Sequence, residues 1–189
     1  MSRNPKGVVL GLVLVAAVVC LTQSPEIDFQ NQTTTREHPV MNLPRFLRQR
    51  NWGSGSCVVA SMVSLLRWQG RFAMANHLKA NYSGGQWYTG WKAILDREGI
   101  KYASTRKKFD VAFLEKAVAT RRGCMVTVDK EAHMVCLVDL TSTRACILDN
   151  NSPEKYIWVD RKEFLDEWKA ANSWALTPVY TPTSPRIPR

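Results

Sequence analysis

Apolar positions along this chain follow two rhythms, and the change between them divides the folded part in two. In "CVVASMVSLLRW" the residues Val58, Met62, Leu65 and Leu66 recur at helical spacing. That spacing predicts a helix over Cys57–Trp68, stopped by Gly70. A second helix is predicted over Phe72–Asn81, closed by the turn "YSGG". A third covers 89–98, with Trp91, Ile94 and Leu95 on one side and Gly99 at its end. Asp110 stands where it would cap a fourth, Val111–Ala119. After residue 123 the period falls to two. "CMVTV" (124–128), "HMVCLVDL" (133–140), "ACILD" (145–149) and "KYIWV" (155–159) are short runs rich in strand-forming residues, separated by polar turns. A helix over "RKEFLDEWKA" and a strand near "WALTPVY" complete the pattern. Helices first and an antiparallel sheet second predict the α+β class.

The flanks read differently. Arg3 and Lys6 precede the uninterrupted apolar run "VVLGLVLVAAVVCL" at 8–21, the layout of a secretory signal peptide or a short membrane anchor over residues 1–22. The protein is therefore expected to be exported, either secreted or attached to a membrane through residues 7–21 and facing the extracytoplasmic side. Residues 23–40 carry no apolar period and read as a linker. Residues 181–189, "TPTSPRIPR", form a proline-rich tail expected to be extended. One domain remains, over 41–180, and the 189 residues leave room for little more.

Charge adds a partner question. The net charge is +10, which draws attention to polyanions. The basic residues are nevertheless scattered, densest at Arg45-Arg48-Arg50, Arg106-Lys107-Lys108 and Arg121-Arg122, with no aromatic-interleaved nucleic-acid motif among them. They read as solvated faces, and no nucleic-acid partner is expected. Of five cysteines, Cys20 belongs to the export segment. Cys124, Cys136 and Cys146 lie in apolar strand-like runs where a thiol acts as a small hydrophobe, and their spacing fits no metal site.

Cys57 is placed otherwise. It follows "GSGS" and opens a helix, where the N-terminal partial charge favours a thiolate and an adjacent imidazolium favours it further. Its own N–H belongs to the first helical turn and could stabilise an oxyanion. Such a nucleophile needs a base, and the base an orienting group. His38 lies in the linker and His77 sits among polar neighbours on the second helix. His133 begins a strand, and the next strand ends in Asp149, followed by Asn150 and Asn151. Adjacent antiparallel strands would present His133 and Asp149 at one edge of the sheet. Asn150 is the alternative orienting group, and Asp139 is expected at the far edge as a solvated turn residue.

The segments "GSCVVASMVSLLRWQG", "SGGQWYTGWKAILDREGI", "AHMVCLVDL" and "ILDNNSPEKYIWVDRKEFLDEW" resemble the bacteriocin-processing, double-glycine leader peptidases and their stand-alone relatives. The similarity spans about residues 45–177. It implies a papain-like cysteine peptidase fold, with an N-terminal helical half packed on a C-terminal antiparallel sheet. It also implies Cys57 as nucleophile, His133 as base and Asp149 as orienting group, with a peptide or protein as substrate. Two positions depart from that family. Asn51 stands where a glutamine usually donates to the oxyanion, with Gln49 two residues earlier, and Val58-Val59 replaces the frequent Gly-Pro. Asn51 and Gln49 are thus the candidate oxyanion donors, and Trp52, Ser56 and Trp87 the candidate substrate-groove residues. Trp91 reads as core.

The expected reaction is hydrolysis of an amide bond through an acyl-thioester on Cys57, by a monomer that uses no cofactor and no metal. Two other readings stay open at this point. One is a catalytically inactive papain-like module that binds peptides, and the other is a cell-wall amidase or endopeptidase.

Overall fold

The computed structural model describes residues 42–85 and 87–181, and a single buried helix organises them. Helix α1, Cys57–Trp68, buries every residue except Arg67. A helix apolar on nearly all sides belongs inside a protein, and α1 packs across β3 of the sheet while α2, Phe72–Asn81, lies along its flank. Each fully buried Val, Leu or Met on α1 contributes on the order of 2 kcal/mol. Helix α3, Tyr88–Arg97, buries Trp91, Ile94 and Leu95 against the same core.

The sheet is six-stranded and wholly antiparallel. It comprises β1 (Tyr102–Thr105), β2 (Cys124–Val128), β3 (His133–Leu140), β4 (Arg144–Leu148), β5 (Ile157–Asp160) and β6 (Ala175–Pro178), in the order β1-β6-β2-β3-β4-β5. Helix α4, Val111–Ala119, begins at Asp110, whose carboxylate accepts from Phe113 N at 3.1 Å. Helix α5, Arg161–Ala170, begins at Asp160, which accepts from Lys162 N at 2.7 Å and Glu163 N at 3.0 Å. Alternation along β3 splits the core. Met134, Cys136 and Val138 face α1, whereas Val135 and Leu137 join Leu114 of α4 and Phe164 and Trp168 of α5. Both faces are therefore covered, which is why the strands read as nearly continuous apolar runs.

The α+β class is the one the pattern predicts, with differences in detail. Helices sit on both faces of the sheet rather than on one. Strand β1 went unassigned in the sequence, and β4 stops at Leu148, leaving Asp149 just beyond it. Asp139 is buried rather than solvated, at a register shift between β3 and β4, with its carboxylate accepting from Leu140 N at 2.9 Å. Cys57, Cys124, Cys136 and Cys146 are free thiols. The export segment with Cys20, the linker with His38 and tail residues 182–189 lie outside the described residues. Among those described, no helix is long and apolar enough to cross a membrane.

Candidate active site

Two glycine-containing loops meet at the N-terminus of α1. Gly85 N donates to Gly55 O at 3.0 Å. Gly84 takes φ +123°, and a Cβ there would lie 2.5 Å from Ser56 N, so only glycine permits this backbone-on-backbone contact. Ser56 is fully buried directly before the nucleophile. Its hydroxyl accepts from Trp52 N at 3.0 Å and Gly53 N at 3.1 Å, and it bonds to Asn51 Oδ1. Ser56 is thus an internal clasp for the loop and offers no surface to a groove.

The base arrives on a tight connection. Asp129, Lys130 and Glu131 all adopt positive φ, at 50°, 49° and 74°. Left-handed conformations at non-glycine residues cost roughly 1–2 kcal/mol each, and the surroundings hold them. Asp129 N donates to Glu167 at 3.1 Å, and Asn172 donates to Glu131. His133 follows at once and starts β3. Its Nε2 lies 2.8 Å from Asp149 Oδ1, and the Cys57 thiol is near enough to bear on the ring's protonation. With Nε2 committed to the carboxylate, Nδ1 is the nitrogen left for the thiol. Burial disfavours a charged ring, but the hydrogen bond to Asp149 and the influence of Cys57 outweigh it and push the His133 pKa up to about 9. Asp149 is likewise disfavoured as an anion by burial. Hydrogen bonds from His133 and from the Asn151 backbone outweigh that and hold its carboxyl below the usual carboxylate range.

The residues after β4 divide the work. Asn151 N donates to Asp149 Oδ1 at 2.8 Å, an Asx turn that aims the carboxylate. The Asn151 side chain stands between Asn51, whose Nδ2 is 3.4 Å from Asn151 Oδ1, and His133, whose Nε2 is 3.5 Å from Asn151 Nδ2. Sequence reasoning missed Asn151, although "LDNNSP" is a strong turn signal. Asn150 directs its amide elsewhere than His133. It is buried, and its Nδ2 donates to Met134 O at 2.8 Å, Ser61 Oγ at 3.1 Å and Cys57 O at 3.4 Å, which ties α1 to β3.

The remaining candidates fall in different places. Asn51 is at the site, its backbone N–H bonded to Asn150 O at 2.8 Å. Gln49 is not beside the thiol. It is buried behind Asp149 with Leu148 and Asn150, and its amide donates to Arg50 O at 2.7 Å and accepts from Arg67 at 3.3 Å. Trp52 is 38 % exposed in the loop before Cys57, with the Lys79 ammonium 6.0 Å from its ring centre. Trp87 is 41 % exposed and meets Trp174 edge-on at 5.5 Å. Trp91 is buried. His77 pairs with Glu98 at 2.8 Å on α2, away from this network. Among the described residues no cluster of His, Cys, Asp or Glu could hold a metal ion.

No protein-family model matches the chain, and no curated protein matches it. Among solved structures, it is similar to a double glycine motif protease from an AMS/PCAT transporter, crystallised with its leader peptide. That similarity runs at 14% identity over 75% of this chain and 100% of the other, with a TM-score of 0.47.

Proposed function

We propose that this protein hydrolyses a peptide amide bond with Cys57 as nucleophile, His133 as base and Asp149 as orienting group. The observation that carries the reading is the His133 ring, bonded to Asp149 at 2.8 Å and charged under the influence of a cysteine that opens a buried helix. A packing role for Cys57 would have no use for a charged imidazole held beside it.

In this mechanism the Cys57 proton passes to His133 Nδ1, and Sγ attacks the carbonyl carbon. The resulting oxyanion takes hydrogen bonds from the first turn of α1 and from the Asn51 amide, whose long contact to Asn151 is easily exchanged. Collapse to the thioester expels the amine as His133 returns the proton to it. A water molecule, deprotonated by His133, then attacks the thioester and releases the acid and the thiol. Asp149 keeps the ring in one tautomer throughout, and Asn151 keeps Asp149 in place. Trp52 and Trp87, exposed near the two loops that meet at the glycine contact, are the candidate walls against which an extended peptide would lie.

Alkylation of the folded protein by iodoacetamide tests this directly. Burial pushes the Cys136 thiol up to about 12 and shifts Cys124 and Cys146 upward as well, so these three stay protonated and unreactive. Cys57 is expected to be the site of labelling among the four, at a rate that falls roughly a hundred-fold in His133→Ala. Cleavage of a mixed peptide library is expected to vanish in Cys57→Ser. Labelling that ignores the histidine, or a Cys57 inert in the folded state, would sink the reading and leave a binding module.

A further inference from the structure

The arginines that look scattered along the sequence converge in space. Four separate segments meet at the C-terminal end of α1, namely 45–48, 67–73, 120–123 and 179–181. The Phe46 and Phe72 rings touch edge-on at 5.9 Å, bringing the first two together. Trp68 Nε1 donates to Arg121 O at 2.8 Å and Gln69 Nε2 to Arg122 O at 3.0 Å, adding the third. The Arg71 guanidinium lies 4.8 Å from the Tyr180 ring centre, and Arg122 Nε donates to Tyr180 O at 3.1 Å, adding the fourth. These segments hold Arg45, Arg48, Arg67, Arg71, Arg121 and Arg122, and no aspartate or glutamate. Among the described residues no carboxylate pairs with Arg45, Arg71 or Arg122.

The same pole carries most of the exposed apolar bulk. Phe46 is 47 % exposed and Phe72 43 %, with Val179 also exposed. A solvated basic face has no reason to show two phenylalanines in contact with each other. A helix C-terminus attracts cations weakly, but one helix end does not account for six guanidiniums. From this pole the chain runs on into a segment whose sequence adds Arg186 and Arg189.

The geometry points to an anionic lipid surface as the partner of this pole. Phosphate headgroups would take the guanidiniums, and Phe46 and Phe72 would enter the headgroup boundary. Guanidiniums without a carboxylate partner, those of Arg45, Arg71 and Arg122, beside exposed apolar side chains suit a lipid interface, polar outside and apolar within. A nucleic-acid backbone has no place for the phenylalanine pair. The apolar run at 8–21 is a separate pointer to a bilayer in the same chain. The pole is at the opposite end of α1 from Cys57, so this contact neither needs nor obstructs the proposed chemistry.

The test is footprinting of the full chain with phenylglyoxal, which modifies exposed guanidiniums, read residue by residue by mass spectrometry. Arg45 and Arg71 are expected to be protected by vesicles of phosphatidylcholine with phosphatidylglycerol, but not by phosphatidylcholine alone. Arg50, exposed at the catalytic end, should react equally in both. In Arg45→Gln/Arg71→Gln, partition onto the anionic vesicles should fall roughly twenty-five-fold, about fivefold for each charge removed. Equal protection by both lipids would overturn the proposal, because the apolar segment would then be anchoring the chain alone. Protection by duplex DNA and not by vesicles would overturn it in favour of a nucleic-acid partner. Either failure leaves the reading of Cys57 untouched.

Discussion

The two ends of α1 handle charge in opposite ways. At the N-terminal end, one imidazole and one carboxylate face each other at 2.8 Å, both partly buried and each fixed by further bonds. At the C-terminal end, guanidiniums from three segments gather beside a fourth, and none of the four holds an aspartate or glutamate. Chemistry on a covalent bond requires a single proton held at one place, and pairing supplies that. Attachment to an extended anionic surface requires many charges left unneutralised, and pairing would defeat it. Charged side chains therefore mean different things at the two ends, according to whether the fold has already satisfied them.

Breaking the pair at the N-terminal end should have the largest effect. Asp149→Asn is expected to slow the Cys57 reaction by roughly a hundred-fold or more, because the ring loses both its tautomer and its charge partner. The sign in pH follows from the shifts. His133 is raised from 6.5 to about 9, so its contribution to folding and to the charged pair is complete below about 6.5 and is lost as pH rises through about 9. Asp149 is lowered, so its contribution is present above the usual carboxylate range and lost as pH falls through the depressed value. A pH profile of peptide cleavage should show its alkaline limb near 9 in the natural protein and at lower pH in Asp149→Asn, because the leaving amine needs the His133 proton. An unmoved limb would mean that another group sets it.

Smaller effects should come from the scaffold of that end. Asn150→Ala removes the bonds to Met134 O, Ser61 Oγ and Cys57 O that tie α1 to β3, although Ser61 Oγ still donates to Met134 O, and is expected to cost about 1–2 kcal/mol in urea unfolding. Gly84→Ala forces a methyl against Ser56 N at a φ that only glycine tolerates. Its cost should be about 1–3 kcal/mol, with slower alkylation of Cys57 as the loop shifts. The smallest change belongs to the other end. Arg45→Gln/Arg71→Gln should alter stability by less than about 0.5 kcal/mol and leave alkylation unchanged.

Much of this was legible in the chain. The extent of α1, the capping of α4 by Asp110 and the alternation of β2 and β3 follow from local spacing that the fold preserves. Strand β1 was not legible because it is four residues long and bonds only to β6, a partner seventy residues away in sequence. Gln49 and Asn51 were equivalent as amides near Cys57; which one turns inward depends on Arg67 and the buried pocket behind Asp149. Asn151 acts through a backbone N–H, which composition does not reveal. The arginine pole was invisible for a related reason. Its four segments are separated by whole elements, and only the packing of α1 brings them together.

The length of α1 also sets a reach. Twelve residues at 1.5 Å each place the thiol about 18 Å, along the helix axis, from the arginine pole. With that pole resting on phosphates, a polypeptide rising extended from the same bilayer gains about 3.3 Å per residue. Were α1 to stand upright on that surface, such a chain would climb five or six residues before its first bond met Cys57. Bonds nearer the lipid would then pass beneath the nucleophile uncut, and α1 would act as a ruler as well as a support.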